Sequence, residues 1–249
     1  MRSLLYNIAF YLTVPVWLIV GTPLLLAPRK IVVRYVYGGV SAALLWWLKV
    51  IVGLKTKARG LENLRKGPIL VAVKHQSTWD VFALTNYFDD PAIILKSELM
   101  HIPFIGWFAS KMDMIPVKRG KGSEAVKQLM KDARLRAAQG REIFIFPEGK
   151  RREPGAEPHY KRGIVAMYKD LQLPVLPVAL NSGLYWRRRE FTRRPGTVLV
   201  EFLPVIEPGL DDDEFMKALQ GAIEPASDRL IKEALAGANP PPAPKGYRA

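Results

Sequence analysis

The hydrophobic pattern divides the chain near residue 54. Residues 3–27 carry no charge and are rich in Leu, Ile, Val, Phe and Trp, and a second apolar stretch, Tyr35 to Leu54, holds one charge, Lys49. Each stretch is long enough to span a bilayer. Because the turn sequence Ala27-Pro28-Arg29-Lys30 separates them, the pattern predicts a two-helix membrane-associated hairpin over residues 1–54.

The charges of this hairpin indicate how deeply it inserts into a membrane. Pro15 and Pro23 interrupt the first stretch, so a straight spanning helix is not assured. Two full spans would place Arg29, Lys30 and Arg34 on the side opposite the rest of the chain, against the positive-inside rule if that rest is cytoplasmic. The sequence therefore favours insertion into one leaflet. Two spans, and a hairpin buried in a soluble protein, stay open as alternatives.

Beyond Lys55 short apolar runs alternate with amphipathic segments, which is typical of an α/β fold with a central sheet flanked by helices. Strands are predicted at Ile69–Val73, Ala92–Leu95, Met114–Val117, Glu142–Phe146, Val175–Leu180 and Val198–Leu203. Helices are predicted at Asp80–Phe88, Pro103–Lys111, Gly122–Gln139, Gly163–Leu171 and Asp211–Leu235. We expect an α/β domain over residues 55–236 and a Pro-rich disordered tail over residues 237–249.

Composition narrows the choice of partners. The chain of 249 residues has 37 Lys and Arg against 23 Asp and Glu, giving a net charge of +14, which favours an anionic partner. Basic segments at 148–162 and 184–194 could bind nucleic acid, but beside an apolar hairpin an anionic membrane leaflet is the simpler partner. The chain has no Cys and its three His stand in unrelated contexts, so we expect no disulfide, no thiolate chemistry, no metal site and no cofactor.

The candidate chemistry lies at the end of the first predicted strand. His75 follows that strand, and Asp80 falls in the first turn of the next predicted helix. A turn between them would let the carboxylate bond one imidazole nitrogen and leave the other as a general base. Ser77 and Thr78, between the two, are hydroxyl candidates for a nucleophile, but helix capping explains them better.

Three further apolar runs complete a pattern. Phe144-Ile-Phe-Pro147-Glu148-Gly149-Lys150-Arg151 and Ile115-Pro-Val-Lys118-Arg119-Gly120 each end in bases and glycine, and Leu173-Pro-Val-Leu-Pro177-Val178 is the third run. With His75-x-x-x-x-Asp80 these runs resemble the four sequence blocks of the glycerolipid acyltransferases, most nearly those of the bacterial 1-acyl-glycerol-3-phosphate acyltransferases. The resemblance covers about residues 55–205 and implies a central mixed sheet flanked by helices, after a two-helix membrane element.

Four basic residues, Lys118, Arg119, Lys150 and Arg151, lie where charge-assisted hydrogen bonds could hold a phosphate, with a solvated basic face as the alternative. The resemblance implies the phosphate-binding role for Arg119. His75 would be the general base and Asp80 its orienting partner. Glu148 would contact the glycerol backbone or hold the basic loop, and Gly149 would permit its tight turn. Lys74 and Lys150 depart from the commoner pattern, in which residues such as Asn precede the His and Thr follows Phe-Pro-Glu-Gly.

The expected activity is transfer of a fatty acyl group from acyl-CoA or acyl-carrier protein to the sn-2 hydroxyl of lysophosphatidic acid, at the cytoplasmic face of a bacterial inner membrane. No nucleic acid partner is expected. Three alternatives stay open. The acceptor could be another lysolipid, such as a lyso-ornithine lipid or a lysophospholipid; the protein could bind membrane surfaces without catalysis; or water could replace the acceptor, giving an esterase.

Overall fold

The computed structural model describes residues 1–118 and 122–244 and is built around one seven-stranded sheet in the order β1-β7-β6-β2-β5-β3-β4. Its strands are β1 Leu54–Arg59, β2 Ile69–Val73, β3 Ala92–Lys96, β4 Ile115–Val117, β5 Glu142–Ile145, β6 Val175–Leu180 and β7 Gly196–Phe202. Strands β2 to β6 run parallel, β7 is antiparallel to β6, and β1 is parallel to β7. The mixed sheet flanked by helices is confirmed.

Helices cover both faces of the sheet because its central strands are apolar throughout. Every residue of β2 and β6 is buried, as strands covered on both sides require. One face carries the helices Arg2–Val20, Arg29–Val52, Trp79–Ala83 and Ile105–Lys111, and the other carries Gly122–Ala138, Gly163–Leu171 and most of Asp212–Leu235. Shorter 3₁₀ turns lie at Thr22–Leu26, Leu61–Asn63, Leu84–Tyr87, Ser97–His101 and Ser182–Leu184.

The predicted hairpin consists of an inner and an outer helix. The inner helix, Arg29–Val52, contains wider π-type turns at Val32–Tyr37 and Leu48–Val52 and shares one hydrophobic core with the sheet. In the outer helix, Arg2–Val20, only Tyr6 and Asn7 are buried. Both helices are long and apolar enough to cross a membrane. The outer one packs Phe10, Val14 and Leu18 partly against the core and leaves much of its remaining apolar surface exposed.

The turn of the hairpin is bound to the α/β domain. Arg29 donates to Asp90 Oδ2 at 2.8 Å and to Asp113 Oδ2 at 2.9 Å. Asp90 precedes β3 and Asp113 precedes β4, so the turn lies at the amino edge of the parallel strands. At the opposite end of the outer helix, Asn7 donates to the Phe191 carbonyl, in the loop that follows β6. The hairpin therefore runs along the parallel strands, with its turn at their amino ends and the start of the outer helix at their carboxyl ends.

Three details differ from the sequence-based expectation. Strand β1 is not predicted, because the edge strand Leu54–Arg59 is mostly polar and exposed. The helix predicted at 80–88 is α-helical only over Trp79–Ala83 and continues as a 3₁₀ turn. Part of the segment expected to be disordered lies against the domain, since Arg187 donates to the carbonyl oxygens of Pro242 and Ala243.

Candidate active site

The side chains of His75 and Asp80 meet at the carboxyl edge of the sheet. Strand β2 ends at Val73, and the chain turns through residues 74–78 before the short helix that begins at Trp79. This turn brings His75 Nδ1 to 3.0 Å from Asp80 Oδ2. The Asp80 side chain is fully buried, whereas 13% of the His75 side chain stays exposed. The ring can therefore be reached from outside while its partner cannot.

Asp80 is held by donors on both carboxylate oxygens. Oδ2 accepts the backbone N–H groups of Gln76, at 2.7 Å, and Ser77, at 2.8 Å, as well as the His75 ring. Oδ1 accepts the hydroxyl of Ser182. Since a carboxylate only accepts hydrogen bonds, the proton of the pair belongs on His75 Nδ1, and Nε2 is left as the basic nitrogen.

The imidazole ring is fixed from two further directions. Phe146, just beyond β5, stacks on it with ring centroids 4.0 Å apart and planes inclined by 30°. The backbone of His75 is clamped as well, because the Arg152 N–H donates to its carbonyl oxygen at 2.8 Å. Among the described residues, Nε2 has no hydrogen-bond partner from the protein. This orientation therefore presents Nε2 to whatever occupies the site.

The hydroxyls between His75 and Asp80 are engaged elsewhere. Ser77 is fully buried, and its Oγ accepts the Trp79 N–H at 3.2 Å from the position just before the N-cap. Thr78 occupies the cap position without a capping bond and instead accepts a bond from Arg151 Nη1 at 2.6 Å. Neither hydroxyl is bonded to the imidazole, so neither is arranged as a base-activated nucleophile.

A model of the family described as Acyltransferase matches residues 55–181, about half of the chain. This match covers the His75 site and strands β1 to β6. The chain belongs to the acyltransferase family.

Named relatives agree with this assignment. A 1-acyl-sn-glycerol-3-phosphate acyltransferase from Pseudomonas aeruginosa is 36% identical over 162 residues, covering 65% of this chain and 63% of the relative. One from Saccharomyces cerevisiae is 32% identical over 139 residues, 54% of this chain and 46% of the relative. The chain thus spans less than two thirds of the length of either. The 1-acyl-sn-glycerophosphate (LPA) acyltransferase PlsC from Thermotoga maritima has the same fold, with a TM-score of 0.76 at 21% identity over 96% of this chain and 100% of that one.

In this member of the acyltransferase family Glu148 faces the interior. Its side chain is fully buried and pairs with Lys74 Nζ at 3.1 Å. Lys74, itself 2% exposed, also binds Glu224 at 2.8 Å, and Tyr160 donates to Glu224 at 2.7 Å. Burial raises the pKa of Glu148, and the charge of Lys74 opposes that rise. The other Glu148 oxygen lies 3.5 Å from the His75 backbone nitrogen, so this buried network supports the strand end that carries His75.

The predicted basic residues lie in two places. Lys118 follows β4 and is exposed, while Arg119 lies outside the described residues. Lys150 is exposed, and Gly149 makes the preceding turn with a left-handed φ of 65°. Arg151 is half-buried beside the loop that joins His75 to Asp80. Burial and the nearby charge of Arg188 lower the pKa of Arg151, which Asp80 partly offsets.

Sequence reasoning does not find several residues that shape the site. Ser182 lies two residues past β6, and the only sequence signal for it is the end of a parallel strand next to β2. Gln76 accepts the Gly183 N–H at 3.0 Å, and a Cβ at Gly183 would lie 2.9 Å from that of Gln76, so this second loop fits tightly on the first. Phe146 is predicted only as a strand residue.

The basic segment 184–194 differs from the surface that its sequence predicts. Tyr185 and Trp186 are buried in the core, and Arg193 lies over the Trp186 ring at 4.2 Å. Arg194 pairs with Glu190, so part of the positive charge is neutralised within the loop. In the part of the chain that the structure describes, no group of three or more His, Asp and Glu side chains is arranged to hold a metal ion.

Proposed function

We propose that this protein is a membrane-bound 1-acyl-sn-glycerol-3-phosphate O-acyltransferase. It transfers a fatty acyl group from an acyl-CoA or acyl-carrier protein thioester to the sn-2 hydroxyl of lysophosphatidic acid and forms phosphatidic acid. The observation that carries the proposal is the His75–Asp80 pair, with a buried, fully bonded carboxylate and an imidazole nitrogen left for substrate. The activity for which the Pseudomonas and yeast relatives are named supports the choice of acceptor.

The pair suits direct attack by the acceptor alcohol. His75 Nε2 takes the hydroxyl proton as the sn-2 oxygen bonds to the thioester carbonyl carbon, and the carbon–sulfur bond then breaks. The leaving thiolate receives the proton back from the imidazolium. Asp80 stabilises the positive charge that His75 carries between these two steps. Because Ser77 and Ser182 bond other groups, no acyl-enzyme is needed.

Lys118, Arg119, Lys150 and Arg151 are proposed to bind the acceptor phosphate through charge-assisted hydrogen bonds, and Glu148 and Gly149 to shape the loop that carries two of them. Arg151 supports this proposal because its contact with Thr78 places one cation beside the loop of the proposed base. Lys118 and Arg119 follow β4, whose carboxyl end lies at the same edge of the sheet.

We expect Arg119→Ala to raise the KM for lysophosphatidic acid by about 10- to 100-fold, with a smaller effect on kcat, because a hydrogen bond to a charged group contributes about 1.5–3 kcal/mol. Steady-state kinetics with each substrate varied in turn would measure this. Lys127→Ala, at an exposed lysine of helix Gly122–Ala138, is the matched control for a lost charge. A rise in donor KM with an unchanged acceptor KM would assign Arg119 to the donor site instead.

The reaction itself is tested by offering the purified protein labelled acyl-CoA with a series of lysolipids. Labelled phosphatidic acid from lysophosphatidic acid is expected, absent with His75→Ala. Preference for a lyso-ornithine lipid or another lysophospholipid would identify that lipid as the acceptor in place of lysophosphatidic acid. Fatty acid release without a lysolipid would indicate an esterase. Membrane binding without any transfer would indicate a non-catalytic surface protein.

We further propose that the hairpin inserts into the cytoplasmic leaflet of the inner membrane without crossing it. The support is the position of its turn. Arg29 bonds Asp90 and Asp113 of the α/β domain, whereas two full spans would put the turn about 30 Å away, beyond the hydrocarbon core. The exposed apolar surface of the outer helix, which includes Leu5, Leu12 and Val16, would face the acyl chains.

A single Cys placed at Pro28 tests this topology, since the chain has no other Cys. In sealed inner-membrane vesicles of known orientation, an impermeant maleimide should label Pro28→Cys only from the side that holds the catalytic domain. Leu135→Cys, on an exposed position of the domain, marks that side in the same experiment. Labelling of position 28 exclusively from the opposite side would establish two true spans.

A further inference from the structure

A second apolar surface lies outside the hairpin, on the segment that joins β3 to β4. We define the 99–107 lip as residues 99–107, of which Leu99 is 37% exposed, Ile102 42%, Ile105 37% and Trp107 52%. We propose that this lip enters the same leaflet as the hairpin and is a second membrane contact of the catalytic domain. The inference rests on the proposed membrane function of the hairpin but assigns binding to residues outside it.

The lip is rigidly built, so its exposed side chains are held outward by the backbone. Phe104 has a left-handed φ of 61°, a conformation that bulky residues rarely adopt. A Cβ at Gly106 would lie 2.0 Å from the Met100 carbonyl oxygen, so only glycine fits there. The Gly106 N–H donates to the Ile102 carbonyl at 2.8 Å. A strained, closely packed backbone is retained where the surrounding structure determines it. The backbone of the lip therefore fixes the outward positions of its apolar side chains.

The lip is continuous with the hairpin. The helix that begins within it, Ile105–Lys111, buries Phe108 in the hydrophobic core that contains the inner hairpin helix. A Cβ at Gly21, at the end of the outer helix, would lie 3.5 Å from the Phe108 ring. Helix Ile105–Lys111 therefore belongs to the same layer as the hairpin, on the face of the sheet away from helix Gly122–Ala138. One membrane surface can contact both.

The side chains of the lip suit the interface between lipid and water. Trp107 and Phe104 form an aromatic pair with ring centroids 4.8 Å apart, and tryptophan favours the headgroup level. No acidic residue lies between Glu98 and Asp113, and Lys96, Lys111 and Lys118 flank the lip. Lys96 pairs with Glu98 at 3.6 Å. Apolar side chains with lysines on either side in the sequence fit an anionic leaflet, in which lysine stems can extend to the headgroups.

This contact would set the height of the active site. Two residues separate the end of β3 from the lip, and Lys118 directly follows β4. The carboxyl ends of these two strands share an edge of the sheet with that of β2. Insertion of the lip would therefore hold the residues proposed to bind phosphate at headgroup depth, where an acceptor lipid presents its phosphate. The lip is thus assigned to positioning and access, and not to the chemical step.

Three single-Cys proteins test the proposal: Ile105→Cys on the lip, Tyr11→Cys on the outer hairpin helix, and Leu135→Cys, exposed on the opposite layer. Each is labelled with an environment-sensitive fluorophore and mixed with vesicles of phosphatidylethanolamine and phosphatidylglycerol that carry nitroxide-labelled acyl chains. We expect quenching at positions 11 and 105 and none at 135. Quenching at position 11 alone would contradict insertion of the lip and support insertion of the hairpin. Quenching at neither would overturn membrane insertion altogether.

A binding measurement gives an independent readout. We expect Trp107→Glu to weaken partitioning into these vesicles by about tenfold or more, because a large apolar side chain loses its transfer into lipid. Leu135→Glu, the matched control on the opposite layer, should leave partitioning unchanged. Activity on a short-chain, soluble lysolipid should stay unchanged in Trp107→Glu. Loss of that activity, or equal partitioning of the two variants, would overturn the assignment. If the protein formed concentration-dependent dimers and Trp107→Glu dissociated them, the lip would instead be assigned to contact with a second copy of the chain.

Discussion

His75→Ala should lower acyl transfer by about 10² to 10⁴-fold, the usual contribution of a general base, while the protein stays folded. The reason is geometric: Asp80 bonds Nδ1, Phe146 stacks on the ring, and only Nε2 is left to accept a proton. Transfer is measured as labelled phosphatidic acid at saturating donor and acceptor. His159→Ala, at an exposed position, is the control. More than half of the activity remaining in folded His75→Ala would contradict the base assignment.

Asp80→Asn should have a smaller effect than His75→Ala. The backbone donors of Gln76 and Ser77 point at Oδ2, so the amide oxygen of Asn would take that place and could still accept the Nδ1 proton. What the variant loses is the negative charge that stabilises the imidazolium. We expect a loss of about 5- to 30-fold, since a charged hydrogen bond exceeds a neutral one by roughly 1–2 kcal/mol. Asp80→Ala, which removes the bond as well, should lose more.

Lys74→Met should destabilise the fold by about 3–5 kcal/mol, because removing one partner of a buried ion pair leaves the other charge uncompensated. In the wild type Lys74 lies between Glu148 and Glu224, and neither Lys74 nor Glu148 is accessible to water. The free energy of unfolding is measured by denaturant titration in detergent. Lys127→Met, at an exposed lysine, is the matched control and should change it by no more than about 0.5 kcal/mol.

A second variant separates the charge effect from the loss of packing. Lys74→Met combined with Glu148→Gln removes both charges of the fully buried pair, so part of the lost stability should return. If Lys74→Met proved as stable as Lys127→Met, the prediction would be contradicted, because Glu148 in the folded variant would then have to be protonated and carry no uncompensated charge. Partial recovery in the double variant, together with recovered kcat, would link this network to the support of His75 through its backbone N–H.

The sequence predicts those parts of the fold in which one strong pattern decides the structure. Strands Ile69–Val73 and Val175–Leu180 are confirmed to the residue because both are apolar runs between turn residues, and sheet burial requires that composition. Helix Gly163–Leu171 is likewise confirmed. The spacing from His75 to Asp80 predicts a strand, a turn and a helix, which is the local structure observed.

The remainder depends on contacts between distant parts of the chain. Ser182 reaches Asp80 only because β6 lies beside β2, and nothing local marks it. Strand β1 is a strand because β7 pairs with it, not because Leu54–Arg59 is apolar. Lys74 stands in the sequence as a cation next to His75, yet its side chain leads to Glu148 and Glu224, an outcome set by the packing of helix Asp212–Leu235.

The shared core of the hairpin bears on how the protein is made. The inner helix Arg29–Val52 is synthesised early, but its buried side chains pack with residues such as Val198, Phe202 and Ile231, which leave the ribosome much later. Strand β1 likewise cannot pair until β7 has been synthesised. Contacts of such long sequence separation form late, so throughout translation both hairpin helices present apolar surface. A nascent chain that reaches the lipid first would cover this surface, and the catalytic domain would then complete its folding on the bilayer.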